Sequence, residues 1–93
     1  MSQITVQDNP DRQRVEALVD GEVAGFTDYR LEGDVLVMPH TVTVREHRGK
    51  GVAEAVVRAA LDRALQEGRT VRPDCSYVAH VIEENEEYRS LVA

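Results

Sequence analysis

Apolar and polar positions alternate through the first half of the chain, interrupted at short intervals by turn-forming residues. A period of two puts successive side chains on opposite faces of an extended strand. Ile4-Thr5-Val6 opens the pattern and Asn9-Pro10-Asp11 turns it. Val15, Ala17 and Val19 alternate with Arg14, Glu16 and Leu18, and Asp20-Gly21 then supplies a type I′ hairpin signal. Val23 to Leu31 reads as the return strand, with Phe26 and Tyr29 as its large side chains. Glu32-Gly33-Asp34 turns the chain into Val35–Met38. Pro39 has no N–H to give a ladder and marks an edge, bulge or bend. His40 to Val44 then continues as strand.

After Gly51 the period becomes helical. Val52, Val56, Ala59, Ala60 and Leu61, with Ala53, Ala64 and Leu65, form a broad apolar face. Glu54, Arg58 and Asp62 fall four apart on the other side, a ladder of alternating charge. Gly68 ends this helix. Thr70 to Asp74 is a short strand and Ser76 to Glu84 a weaker helix, with Val78, Val81 and Ile82 as its apolar side. The tail holds Tyr88, Leu91 and Val92. The order is four strands, a helix, a strand and a short helix. The last strand can run parallel to the one before the helix through a right-handed crossover. The predicted class is α+β, a mostly antiparallel sheet with one parallel β-α-β crossover and a short C-terminal helix.

With 93 residues and no repeat, linker or low-complexity stretch, residues 1–93 are expected to form a single domain. A chain of this size buries roughly 60–68% of its unfolded surface, enough for one core. A net charge of −6 argues against nucleic acid and anionic membranes as partners. The longest apolar run, Val35 to Pro39, is far too short to span a bilayer. No basic, apolar leader opens the chain and its one cysteine cannot pair internally, so a cytoplasmic location is expected. No Cys, His and acid group has metal-ligand spacing.

Against this acidic background, Arg45, Arg48 and Lys50 place three positive charges and one negative, Glu46, in six residues. They sit between a strand and a helix start, where unpaired N–H groups and the helix dipole favour anions. Gly49 and Gly51 let the backbone approach a ligand closely, and phosphate is the usual occupant. The P-loop string G-x-x-x-x-G-K-[ST] is absent. A dinucleotide fingerprint fails because Glu54 stands where its third glycine belongs. The pattern R/Q-x-x-G-x-G/A is matched by Arg48, Gly51 and Ala53.

That string, with a strand before it and an amphipathic helix and strand after, resembles the coenzyme A pyrophosphate loop of the GNAT superfamily of N-acetyltransferases. The resemblance extends to a small branch often called YjdJ-type. Its carriers are His40-Thr41-Val42-Thr43-Val44, Pro73-Asp74-Cys75-Ser76-Tyr77-Val78 and Glu87-Tyr88. Two departures stand out: Val42 replaces the branch's usual glutamate, a candidate base, and Ser76 replaces its usual proline.

The resemblance implies a minimal GNAT-like fold with acetyl-CoA as cosubstrate, held where two parallel strands, here His40–Val44 and Thr70–Asp74, splay apart. Main-chain groups of Val42 and Val44 would bond the pantetheine arm. The amides of Gly49, Lys50, Gly51, Val52 and Ala53, with the Arg48 and Lys50 side chains, would hold the pyrophosphate. An amine would attack the thioester directly, which needs a neutral amine and a proton for the leaving thiolate. Cys75 is a candidate nucleophile or acyl contact, against the plainer reading of a small buried hydrophobe. Tyr88 is a candidate proton donor or a core anchor, and Tyr77 shares that ambiguity. His40 is a candidate base or a half-buried strand residue. His47 is expected in the loop and His80 on the short helix's surface. The run from Glu83 to Glu87 is expected as a solvated face. Strands fill most of the chain before the loop, so the acceptor side is expected to be open. That predicts a large acceptor such as a protein amine, or a site completed by a second subunit; monomer and homodimer both stay open. The alternatives are a non-catalytic acyl-CoA sensor and an interaction module gripping an anionic partner.

Overall fold

The structure, a computed structural model, describes residues 3–92. Its strands are β1 (Ile4–Asn9), β2 (Arg14–Val19), β3 (Glu22–Asp28), β4 (Arg30–Glu32), β5 (Val35–Val37), β6 (Thr41–Thr43) and β7 (Thr70–Arg72). Helix α1 (Val52–Glu67) lies between β6 and β7, and α2 (Ser76–Glu84) follows β7. Short 3-10 helices cover Arg45–His47 and Glu86–Leu91. The β2–β3 hairpin turns through Asp20 and Gly21, both at positive φ as a type I′ turn requires.

The strands form two sheets, β1-β2-β3-β6 and β4-β5-β7. The third and fourth strands expected from sequence are each cut in two. Tyr29 gives its N–H to the Gln13 carbonyl at 2.9 Å instead of to a neighbouring strand. Pro39 has no N–H at all. At these two points the chain changes partner. The sequence-based pairing of Thr70–Asp74 with His40–Val44 is corrected accordingly: β7 runs parallel to β5, with Leu36 opposite Val71. That ladder continues through Met38 N–H to Arg72 O (3.1 Å) and Cys75 N–H to Met38 O (3.0 Å). Beyond it, β6 leaves to pair antiparallel with β3, and a gap opens between β6 and the start of α2.

One core fills the space under α1. Val52, Val56, Val57, Ala60, Leu61 and Ala64 pack with Val15, Ala17, Val19 and Ala24 of the larger sheet and with Leu36, Met38 and Val71 of the smaller. Val78, Val81, Ile82, Tyr88 and Leu91 complete it. Leu65, expected on the buried face, is exposed. The charge ladder is half formed: Arg58 pairs with Glu54 at 2.8 Å, while Asp62 accepts the Tyr88 hydroxyl at 2.7 Å. Across the opposite sheet face, Gln7, Glu16, Phe26 and Val42 lie in register. There the Glu16 carboxylate is buried under Arg14, Gln7 and Asn9. The Arg14 bond foremost holds it below the usual carboxylate range.

Candidate functional site

Gly25 brings the site's parts together. A Cβ there would lie 2.5 Å from Val52 Cγ1 and 2.6 Å from the Val42 carbonyl oxygen. Only a bare backbone lets β3, β6 and the first residue of α1 meet so closely. From β6 the chain makes the Arg45–His47 turn and enters α1 through Gly49 and Gly51, each with φ 80°. A methyl at either glycine would touch nothing within 4 Å. These glycines therefore serve the left-handed backbone angle and leave the loop's outer surface clear.

The first bond into α1 is Ala55 N–H to Gly51 O, 3.1 Å. Among the described residues, no N–H from Gly49 to Glu54 has a protein acceptor. Arg48, Gly49, Gly51, Val52 and Ala53 line an open cleft there, with Thr43, Glu54 and Tyr77 across it. Glu54, the acid among these lining residues, is held by Arg58. Arg45 and Arg48 are exposed and join no ion pair among the described residues. Lys50 Nζ lies 3.1 Å from His47 Nδ1. Free amides, a helix dipole and unpaired guanidinium groups fit a diphosphate in both charge and donor supply.

Strand β6 borders the gap with one free edge. Asp28 N–H donates to His40 O, and Val44 N–H to Ala24 O, both at 2.8 Å. Such bonds recur at alternate residues of an antiparallel ladder. The main-chain groups of His40, Val42 and Val44 therefore face β3, and Val44 O also accepts His47 N–H at 2.8 Å. This corrects the expectation that Val42 and Val44 serve a pantetheine arm. The groups facing the gap belong to Thr41 and Thr43, and they have no main-chain partner among the described residues. Sequence alone missed Thr41, Thr43 and Gly25, because their roles depend on which strand β6 pairs with.

Cys75 caps α2 and is half-buried beside the core. Its Sγ donates to Thr41 Oγ1 at 3.6 Å, and Thr41 Oγ1 lies 3.0 Å from Thr27 Oγ1. His40 is exposed at the break between β5 and β6, correcting the half-buried expectation, with Nδ1 3.7 Å from Asp28 Oδ2. The structure thus brings Thr41 and Cys75 together, while the His40 imidazole turns to Asp28 and solvent. Tyr88 stands elsewhere. It is 2% exposed and bonded to Asp62, ten residues or about 15 Å along α1 from Val52. Burial and the Asp62 bond push its phenol up to about 12, as befits an anchor. Tyr77 lies on the first turn of α2 with its phenol raised by burial, and exposed His80 is its tilted ring neighbour. In the acidic run only Asn85 turns inward, accepting from Arg58 at 2.8 Å.

A helix start with free amides, set beside the open edge of β6, thus sits in an α+β fold that has one parallel strand pair, β5 and β7. A family model described as GCN5-related N-acetyl-transferase matches residues 14–91, and the chain belongs to that family. Among curated proteins, none matches the chain. The family's chemistry is acyl-CoA-dependent acetyl transfer. Among the described residues no helix is long and apolar enough to cross a membrane, and no His, Cys, Asp and Glu group is placed to hold a metal ion.

Proposed function

We propose that the protein binds acetyl-CoA through the Arg48-to-Ala53 loop, in the manner of the short-chain branch it resembles, and transfers the acetyl group to an amine. The observation that carries this reading is the run of unpartnered amides from Gly49 to Glu54 beside an unpaired Arg48. The free edge of Thr41 and Thr43 then offers a pantetheine arm strand-like hydrogen bonds leading towards Cys75. In the transfer, the amine nitrogen bonds to the acetyl carbon as the carbon–sulfur bond breaks, and the amine's lost proton balances the one the thiolate takes up. His40 would accept that proton, and Cys75 would border the thioester. We place the chain in the cytoplasm, where acetyl-CoA and a reduced Cys75 coexist.

Calorimetry with acetyl-CoA and with desulpho-CoA tests the reading, since both carry the diphosphate. Binding of both, with acetyl-CoA consumed over an amine panel, is the expected result. No heat with either ligand would overturn it. Binding without turnover would leave an acyl-CoA sensor, the reading favoured by Val42 in place of a carboxylate.

A further inference from the structure

We infer that the cleft at the end of β6 remote from the phosphate loop receives the acceptor, and that this acceptor is a small amine carrying a carboxylate, of the amino-acid class. The inference rests on the acetyl-transfer reading for its chemistry and on its own residues for its selectivity. Strand β6 runs into the loop at Thr43, so its Thr41 end is the one away from the phosphates. There the two chain breaks, at Tyr29 and Pro39, open a cleft of about 270 Å³ bordered also by Arg12, Gln13, Asp28 and Arg30. At about 30 Å³ per water, that is room for a molecule of several heavy atoms.

The cleft's charges are selective. Arg30 pairs at 2.7 Å with Glu32, which it shares with Arg72 at 3.7 Å. Arg12 joins no ion pair among the described residues. Asp28, with a third of its side chain exposed, has His40 as its charged neighbour at 3.7 Å. One unmatched cation and one accessible carboxylate, not paired with each other, are the complement of a zwitterion. Asp28 would take the ammonium beside His40, and Arg12 the carboxylate. A bare alkylamine leaves Arg12 unmatched, and a polyamine meets it as a like charge. The turn carrying Arg12 is braced against the sheet, since Tyr29 N–H donates to Gln13 O at 2.9 Å.

Titration of the isotope-labelled chain with 4-aminobutyrate, n-butylamine and butyrate, followed by amide NMR, tests the proposal without acetyl-CoA. Shifts at Gln13, Tyr29 and Arg30 are expected to saturate at about tenfold lower concentration with 4-aminobutyrate than with either single-charge analogue. Arg12→Ala is expected to remove that preference. Equal responses to n-butylamine, or no shift at these amides, would overturn the assignment. In a turnover assay, Arg12→Ala is expected to raise KM for 4-aminobutyrate with kcat kept. A chain that acetylates n-butylamine as readily as 4-aminobutyrate sinks this inference alone. One that selects the zwitterion yet binds no acetyl-CoA sinks only the transferase reading.

Discussion

Arg48 shows how much a side chain's meaning depends on what it is not bonded to. Its guanidinium is exposed and joins no carboxylate among the described residues, in a chain with 17 acidic residues. Arg48→Glu is therefore expected to leave the thermal midpoint unchanged while weakening acetyl-CoA binding by at least about tenfold, measured by calorimetry. Cys75 is the second residue whose role can be separated by experiment. Its thiol faces Thr41 across the gap at 3.6 Å, so saturating acetyl-CoA is expected to slow its alkylation by iodoacetamide. Labelling at an unchanged rate would remove Cys75 from the site. The sequence marks both residues as candidates. That Arg48 is unpaired was not legible, because any of the acids around it could have folded onto it.

At the scale of elements, local signals and non-local ones part company. The helix Ser76–Glu84 and the close of α1 at Gly68 are written in adjacent residues, and the structure has them at those places. The breaks at Tyr29 and Pro39 are different. The strand through Tyr29 reads as continuous and only its choice of partner, Gln13, cuts it; Pro39 signals an edge, bulge or bend, but not that β6 beyond it would join β3. The same non-local choice decides that Thr41 and Thr43, and not Val42 and Val44, turn their amides to the gap. Gly25 joins these elements, and its test is at that scale. Gly25→Ala would press on backbone at Val42 as well as on Val52. It is expected to cost about 1–3 kcal/mol in urea unfolding. It should also lower acetyl-CoA affinity, because the helix start must move. A stable variant with full affinity would show that the junction has slack.

Across the whole molecule, the net charge of −6 and the small cationic region at the loop make one specific anion site more plausible physically than a general polyanion surface. On the alkaline side, the fold's pH response is carried by tyrosines. Tyr29 and Tyr88 are each pushed up to about 12, first by burial and then by hydrogen bonds to Asp8 and Asp62. In the unfolded chain a phenol ionises near 10. Their stabilisation is therefore complete below pH 10 and is lost as pH rises towards 12. Urea midpoints are expected to fall between pH 9 and about 11.5, and Tyr88→Phe should flatten part of that decline. A midpoint that is level across this range would mean both phenols ionise freely in the native state.

The Thr41 hydroxyl, beside Thr27 on the larger sheet, also meets Cys75 at the start of α2. It acts as a spacer between sheet and helix, so the width of the slot there depends on one oxygen atom. Valine there keeps the shape but unfastens both contacts, so a fold left standing would have a slot free to widen.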